Sequence, residues 1–339
     1  MRALRLLRPG HLELQEVLEP IVRERDVLIR VRVAGICGTD VHIYREGFPG
    51  VYPPLTLGHE FAGEVAAMGR RVGGFQLGER VTAENVVSCG HCPLCRSGRH
   101  EICLKAVGPG FDYDGAMAEY IAVPAHTVHR VPVSLNWQEA GAIEPSANSL
   151  WAVERGRVGP GDRVAVIGDG FLGLVMARMA KVKGAAGVAL VGLNEFRLAR
   201  AREMGADLAI NAANTDAAAE LDRWTGGAGC SVTIDAAGGA SALRQALEVV
   251  SPGGRVVMFG LPDPSATVDL SRVVLAELEL IGSLGHPNRW EDTIRLMGDR
   301  HLEVQSLLTH LLPLEEGIRA FELAGTGADE SIKVQLSVG

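Results

Sequence analysis

The sequence predicts an α/β protein of two domains: an irregular, β-barrel-like domain and a doubly wound parallel sheet with helices. Three observations predict this fold. Short strand-like segments separated by Gly and Pro fill the first 130 residues. Helix-length, Ala-rich stretches alternate with apolar strands from about residue 139. The length of 339 residues is sufficient for two hydrophobic cores.

The first domain is predicted from strands that are rich in β-branched residues. Residues 27–33 (VLIRVRV) alternate partly between apolar and polar side chains, as a half-buried strand does, and residues 60–65 and 119–123 are similar. The chain also contains 42 glycines, which suit tight turns and close backbone contacts. We therefore expect an all-β module that is irregular enough to be a barrel.

The second domain is predicted from strand–helix alternation, which is typical of βαβ units in a parallel sheet. The predicted elements are strand 162–167, helix 171–183, strand 188–191, helix 195–204, strand 231–235 and strand 254–259. After about residue 288 the pattern becomes mixed, and a strand-like segment at 333–336 ends the chain. We predict a first domain over 1–145, a second domain over 146–288, and a return of 289–339 to the first domain.

Composition and charge exclude several classes of partner. The net charge is −8 with both signs interspersed, so no basic stripe indicates binding to nucleic acid or to an anionic membrane. No apolar run approaches the ~20 residues that span a bilayer. Met1 leads directly into a strand-like pattern without a signal peptide. These features predict a cytoplasmic protein.

Four of the six cysteines form a compact cluster in the sequence: Cys89, Cys92, Cys95 and Cys103. Gly90, Pro93 and Gly98 allow the backbone to wrap around a centre. Four thiolates complete the tetrahedral shell of Zn²⁺ and leave no position for substrate, so a structural zinc is predicted in a lobe over 84–110. The alternative is four free thiols in a loop.

A second candidate metal site combines three residues from two segments. Cys37 follows a predicted strand, and His59 and Glu60 lie at the start of another. A thiolate, an imidazole and a carboxylate can hold Zn²⁺ with one position open for catalysis. Without further context, His and Glu at such positions are more often surface residues.

Together these motifs resemble those of the zinc-containing medium-chain alcohol dehydrogenases. The order of residues 37–40 (CGTD), 58–60 (GHE), the four-cysteine lobe and a later glycine fingerprint is the same, and the resemblance covers essentially the whole chain. A Glu-Pro at 144–145 is similar to that of the sorbitol (polyol) and threonine dehydrogenase branch. The resemblance implies a GroES-like catalytic domain, a Rossmann domain, and hydride transfer between an alcohol and NAD(P).

The resemblance also implies roles for individual residues. Cys37, His59 and Glu60 correspond to catalytic zinc ligands, and Glu144 would bind directly or through the zinc water, with the division between the two carboxylates left open. In this family zinc acts as a Lewis acid on the alcohol. Thr39 and His42 match a proton relay, although a turn-capping hydroxyl and a surface histidine are the alternatives. Cys230 is expected to be a small buried thiol.

The glycine fingerprint GDGFLG at 168–173 lies between a predicted strand and a predicted helix. Its cofactor-binding candidates are Gly168, Gly170, Leu172 and Gly173. The glycines allow a tight turn and a close approach of the pyrophosphate to the helix N-terminus. Asp169 is an unusual residue in this motif, and its side chain could point to solvent.

The cofactor preference is predicted from the end of the next strand, where the family usually has an acid for the adenosine ribose. Alignment places Gly192 there, which removes both the partner of a 2′-hydroxyl and the repulsion of a 2′-phosphate. Asn194 and Arg197 could bind such a phosphate, so NADP is favoured over NAD, unless a shifted register makes Glu195 the acid. Further nicotinamide contacts are expected at Gly260, Leu261, Ser283 and Leu284.

The substrate is predicted only as a class. Glu144 with zinc suits a secondary alcohol of the polyol, cyclitol or hydroxy amino acid type, by resemblance. Pocket candidates are Tyr44, Phe48, Tyr52, Phe111, His286 and Asn288. The alternatives are a primary-alcohol dehydrogenase or aldehyde reductase and a non-catalytic protein that binds zinc and cofactor; a zinc-free quinone or enoyl reductase is disfavoured by the zinc-ligand set. The family implies a homodimer or homotetramer.

Overall fold

A computed structural model describes residues 1–261, 266–328 and 330–339. The chain divides into two compact units, Met1–Pro145 with Trp290–Gly339 and Ser146–Arg289. None of the helices in the described part combines the length and the apolar character needed to cross a membrane.

The first unit is built mainly from strands. Its strands are β1 (Arg2–Arg8), β2 (His11–Glu16), β3 (Asp26–Gly35), β4 (Leu55–Thr56), β5 (Glu60–Met68), β6 (Arg80–Ala83), β7 (Tyr120–Pro124), β8 (Val128–Arg130), β15 (Leu308–Pro313) and β16 (Lys333–Ser337). Its helices are α1 (Gly38–Glu46), α2 (Pro93–Arg96), α3 (Trp137–Ala140), α10 (Trp290–Gly298) and α11 (Gly317–Thr326). Helix α4 (Ile143–Arg155) carries the chain into the second unit.

Strand β3 is the centre of the first unit. It pairs with β5, β7 and β16, all antiparallel, within a seven-stranded sheet, and β2, β1 and β4 form a smaller sheet. The alternating apolar residues of β3 are buried in one core with residues of β16, such as Val334 and Leu336. Strand β16 is therefore part of the first unit.

The second unit is an alternation of strands and helices. Its strands are β9 (Arg163–Ile167), β10 (Gly187–Gly192), β11 (Leu208–Asn211), β12 (Cys230–Asp235), β13 (Val250–Met258) and β14 (Glu279–Gly282). Its helices are α5 (Phe171–Val182), α6 (Glu195–Glu203), α7 (Ala217–Thr225), α8 (Gly239–Val249) and α9 (Leu270–Leu275). Buried Val, Ile and Ala side chains on β9 and β10 explain why these segments read as continuous apolar runs.

The sheet of the second unit is parallel throughout and has the strand order β11-β10-β9-β12-β13-β14. This is the 3-2-1-4-5-6 order of a doubly wound dinucleotide-binding fold. The order reverses between β9 and β12, and ligands of such sheets bind outside the carboxyl ends of the strands at that point. The predicted fold class is confirmed.

Candidate metal and cofactor sites

The four cysteines of the lobe converge on one point. The sulfurs of Cys92 and Cys95 are 3.5 Å apart, those of Cys92 and Cys103 are 3.9 Å apart, and those of Cys89 and Cys95 are 3.9 Å apart. None of these four cysteines is in a disulfide. Four sulfurs at about 2.3 Å from a central Zn²⁺ would lie about 3.8 Å from one another. The arrangement therefore fits a tetrahedral zinc.

Backbone N–H groups around the lobe favour thiolates. Cys89 and Lys105 each donate a backbone hydrogen bond of 3.3 Å to the Cys103 sulfur. The backbone N–H groups of Cys95 and Leu104 lower the pKa of the Cys92 thiol to about 6. Burial raises the pKa of the Cys95 thiol to about 11, so the backbone donors favour the metal-binding thiolate at Cys92 but not at every cysteine of the lobe.

The second predicted metal cluster forms at the end of β3 and the start of β5. Ligand atoms of Cys37, His59 and Glu60 all lie within 4.8 Å of one another, and His59 and Glu60 are buried. Strands β3 and β5 pair with Gly35 opposite Glu60, which brings Cys37 close to the histidine and the carboxylate. The donor set fits a zinc with three protein ligands and one open position.

Asp40 supports this cluster, and its role was missed in the sequence. Its carboxylate accepts a 2.9 Å hydrogen bond from the Cys37 backbone N–H and lies 3.4 Å from His59 Nδ1. Burial by itself lowers the pKa of His59, but Asp40 and the Cys37 sulfur raise it well above its ordinary value. The surroundings of the imidazole therefore favour positive charge, and a carboxylate behind a ligating histidine also fixes the orientation of the ring.

Lys333 is a second residue that the sequence did not indicate. Its buried ammonium pairs with Glu60 Oε2 and donates a 3.1 Å hydrogen bond to the Ile36 carbonyl. Burial lowers the pKa of Lys333, but the opposite effects of Glu60 and then Cys37 together outweigh burial. The pKa of Lys333 is therefore raised above its ordinary value. Gly35 provides space for the Glu60 carboxylate, because a Cβ at position 35 would lie 2.2 Å from Glu60 Oε2.

Glu144 does not join the three clustered residues. It is buried, and its Oε1 accepts a 2.8 Å hydrogen bond from Asn85 Nδ2. The geometry thus groups Glu60 rather than Glu144 with Cys37 and His59.

The two relay candidates lie on helix α1. Thr39 is half-buried in the first turn, and His42 follows it by three residues with half of its side chain exposed, at 50%. Residues three apart on a helix share one face. His42 Nδ1 lies 3.8 Å from Glu46 Oε2 and its ring contacts Phe48 edge-on.

Of the pocket candidates in the first unit, Phe111 is beside the metal cluster. Its ring centroid lies 4.9 Å from that of His59. Tyr44 packs edge-on against Phe321 in the core, and Tyr52 is 82% exposed. Phe48 contacts His42. Phe111 is therefore the candidate that contacts a cluster residue.

Of the pocket candidates in the second unit, His286 is buried and Asn288 has a positive φ of 54°. Cys230 is also buried, which raises the pKa of its thiol to about 12. This agrees with the expectation of an inert, packed cysteine.

The glycine fingerprint connects β9 to α5 as its sequence predicts. Gly168 has a φ of +122°, which favours glycine, and a Cβ at Gly173 would lie 2.0 Å from the Gly168 carbonyl oxygen. A Cβ at Gly170 would meet nothing within 4 Å. Leu172 lies in the first turn of α5, and its carbonyl accepts a hydrogen bond from Ser149. Helix α5 thus begins against the strand, with an open surface at Gly170.

Asp169 does not point to solvent, in contrast to the expectation from sequence. Its side chain is 13% exposed and turns toward Gly192, at the end of β10. Its Oδ2 accepts hydrogen bonds of 2.8 Å from the backbone N–H groups of Leu193 and Asn194. Arg197 Nη1 lies 3.7 Å from its Oδ1.

The other cofactor candidates follow the last two strands of the sheet. Gly260 donates a 2.9 Å hydrogen bond to the Asp235 carbonyl, and Ser283 donates one of 3.0 Å to the Met258 carbonyl. Leu261 and Leu284 are exposed. Glu195, the alternative acid, instead pairs with Arg202, which lowers the pKa of its carboxyl.

Comparison with known proteins agrees with this architecture. The family model "Alcohol dehydrogenase GroES-like domain" matches residues 23–133, and the model "Zinc-binding dehydrogenase" matches residues 172–299. A sorbitol dehydrogenase of Halalkalibacterium halodurans is 33% identical over 97% of this chain and 96% of its own length. An L-threonine 3-dehydrogenase of Symbiobacterium thermophilum is 36% identical over 98% of this chain and 97% of its own length.

Solved structures give the same result. An alcohol dehydrogenase of E. coli CFT073 in complex with NADH has a TM-score of 0.93 and 31% identity, and covers 99% of each chain. A Sinorhizobium meliloti 1021 protein bound to NADP has a TM-score of 0.92 and 29% identity, over 99% of this chain and 98% of its own. Relatives with either cofactor are therefore similar to this chain.

The chain belongs to the zinc-binding dehydrogenase family, which confirms the resemblance found in the sequence. It is an oxidoreductase of the alcohol and polyol dehydrogenase class, whose chemistry uses zinc and a nicotinamide cofactor.

Proposed function

We propose that this protein transfers a hydride between a secondary alcohol of the polyol, cyclitol or hydroxy amino acid type and NAD(P), at a zinc held by Cys37, His59 and Glu60. The observation that carries the proposal is the convergence of these three ligand atoms within 4.8 Å. When bound, zinc supplies a Lewis acid for the substrate oxygen and the nicotinamide supplies the hydride acceptor.

The residues around the metal have separate tasks in this proposal. Asp40 orients His59, and Lys333 holds Glu60. Thr39 and His42 carry the alcohol proton outward, which is supported by their positions three residues apart on α1 and by the partial exposure of His42. Glu144 holds water or a second polar group of the substrate, since it is a buried carboxylate outside the ligand cluster.

A panel of polyols, aminocyclitols, hydroxy amino acids and simple alcohols tests the substrate class. We expect the highest kcat/KM with a secondary alcohol that carries a neighbouring polar group. Turnover confined to primary alcohols or aldehydes would contradict the proposal. If the unaltered protein turns over no member of the panel, and Cys37→Ser binds the cofactor as tightly as the unaltered protein does, the non-catalytic alternative would be favoured instead.

We also propose two zincs per chain, one catalytic and one held by Cys89, Cys92, Cys95 and Cys103. Metal analysis of a matched pair of variants tests this. Cys37→Ser should retain the lobe zinc and lose turnover, whereas Cys103→Ser should lose the lobe zinc only. A single zinc in the unaltered protein would contradict the second site.

The glycine turn at Gly168, Gly170 and Gly173 is proposed to hold the cofactor pyrophosphate at the start of α5. The preference for NADP, which was predicted from Gly192, depends on an empty ribose site. The Asp169 side chain, which turns toward Gly192, argues against that premise.

Assembly through the dinucleotide-binding unit is proposed as well, as a homodimer or homotetramer. Strand β14 lies at one end of the six-stranded sheet, and α9 has three exposed apolar side chains, Leu270, Val274 and Leu275. A sheet end and an apolar surface of this kind support association. Light scattering would give the state. The predicted cytoplasmic location stays a prediction.

A further inference from the structure

The carboxylate of Asp169 occupies the space beside Gly192. A Cβ built on Gly192 would lie 2.4 Å from Asp169 Cβ and 2.5 Å from its Oδ2. The neighbouring strands β9 and β10 are in parallel register, with Ile167 opposite Val191, so the residues that follow them are also neighbours. A side chain at position 192 and the carboxylate at position 169 therefore exclude each other.

The family places its ribose-binding acid at the end of the second strand of this sheet, which is β10 here. In this chain that position is Gly192, and the carboxylate comes from the preceding βα turn instead. We propose that Asp169 replaces the missing acid, binds the adenosine ribose hydroxyls, and makes the enzyme select NAD over NADP. This inference rests on the proposed function, since it concerns the cofactor of the same site.

The groups that could bind a 2′-phosphate are already engaged by Asp169 or by α6. The backbone N–H groups of Leu193 and Asn194 donate to Asp169 Oδ2. The Asn194 side chain caps α6 by accepting from the Arg197 N–H at 3.4 Å. The Arg197 guanidinium lies 3.7 Å from Asp169 Oδ1, so its charge is shared with that carboxylate. A phosphate here would meet a carboxylate and few available donors.

The position of Asp169 also changes the expected effect of the substitution Gly192→Asp. From sequence alone, this substitution would restore an acid and shift the preference toward NAD. In the structure the new side chain would collide with Asp169. The informative variant is therefore the exchange Asp169→Gly with Gly192→Asp, which moves the carboxylate back to β10.

Equilibrium binding of ADP-ribose and of 2′-phospho-ADP-ribose tests the proposal without substrate or turnover. The unaltered holoenzyme should bind ADP-ribose at least tenfold more tightly. Asp169→Asn keeps the size of the side chain and removes its charge, and should reduce the ratio of the two affinities by about ten- to a hundredfold. The exchange variant should retain the preference for ADP-ribose. Asp216→Asn, which alters a capping carboxylate on α7, is the matched control and should leave the ratio unchanged.

The outcomes separate this inference from the proposed function. Tighter binding of 2′-phospho-ADP-ribose by the unaltered protein, or an unchanged ratio in folded Asp169→Asn, would overturn the role of Asp169 alone. If Asp169→Asn does not fold, loss of discrimination in the exchange variant overturns it as well. Failure of the folded protein to bind either ligand would overturn both the inference and the proposed cofactor site.

Discussion

At the scale of single residues, the metal cluster depends on a carboxylate that is not a proposed ligand. Asp40 is fully buried and serves two neighbours, the Cys37 N–H and the His59 ring. Its position three residues after Cys37 comes from the first turn of α1, where a capping box joins the two residues. One short segment thus presents one proposed ligand, Cys37, and orients another, His59.

We expect Asp40→Asn to lower zinc affinity or kcat/KM by about 10- to 100-fold, because loss of the charged partner weakens the orientation and basicity of a ligating imidazole. Zinc retention during dialysis against a chelator and steady-state kinetics would measure this. Asp114→Asn is a suitable control, since Asp114 binds the Thr56 N–H and Arg5 in the same unit. Equal zinc retention in both variants would rule out the role of Asp40.

At the scale of elements, the βα turn at the start of α5 contains glycines in two different environments, one closely packed and one open. Gly173 packs against the Gly168 carbonyl, so its missing side chain lets the helix approach the strand. Gly170 has open space where a Cβ would be and an ordinary φ of −70°. The absence of a side chain at Gly170 is therefore not required by packing, which is consistent with its proposed role at the cofactor pyrophosphate.

Two alanine variants should distinguish these environments. Gly173→Ala is expected to lower the free energy of unfolding by about 1–3 kcal/mol through overpacking. Gly170→Ala should change the free energy of unfolding by less than about 1 kcal/mol and weaken ADP-ribose binding at least tenfold, because the new methyl group faces the pyrophosphate. Urea unfolding and calorimetry would measure both quantities. Similar losses of stability in the two variants would contradict the distinction.

The elements also show what the sequence could predict. Strand β5 and helix α5 carry local patterns, and their predicted positions agree with the structure within a few residues. The four clustered cysteines were also evident from their spacing, and their sulfurs lie together. The roles of Asp169 and Lys333 depend on pairing between strands that are distant in sequence. Aligning the sequence motif shows that an acid is missing at Gly192. It does not show that the neighbouring βα turn places the carboxylate of Asp169 at the same point.

At the scale of the whole molecule, the first unit is closed by the end of the chain. Strand β16 pairs with β3, with Leu336 opposite Ala34, and brings Lys333 to Glu60. The surroundings of the proposed metal site therefore combine segments that are 297 residues apart in the sequence.

Removal of the Lys333 charge tests how much the ion pair with Glu60 contributes to stability. In the zinc-free protein, Lys333→Met leaves a buried carboxylate unpaired and should lower the free energy of unfolding by about 3–5 kcal/mol. The double variant with Glu60→Gln should recover part of that loss, since no charge is left buried. Urea unfolding of the single and double variants gives the coupling. A double variant no more stable than Lys333→Met would show that the pair has no such role.

A second contact between the returning segment and the rest of the first unit involves a histidine, so the free energy of unfolding should depend on pH. His129 on β8 lies 3.0 Å from Glu84 through Nε2 and 2.6 Å from Glu291 through Nδ1, and it stacks on Trp290 at the start of α10. Burial lowers the pKa of His129, but Glu84 and Glu291 raise it above its ordinary value. The two carboxylates therefore favour the protonated imidazole, which lies between β8 and α10.

Because the folded-state pKa of His129 is raised, its stabilisation is fully present below the unfolded pKa of about 6.5 and is lost as the pH rises through the folded pKa. The unaltered protein should lose on the order of 1 kcal/mol more than His129→Gln between about pH 6 and pH 8.5, since the pair is partly screened by solvent. Urea unfolding across this range measures the difference. His126→Gln, at an exposed histidine nearby, should follow the unaltered protein. Parallel pH curves for the unaltered protein and His129→Gln would mean that this contact does not contribute to closure of the unit.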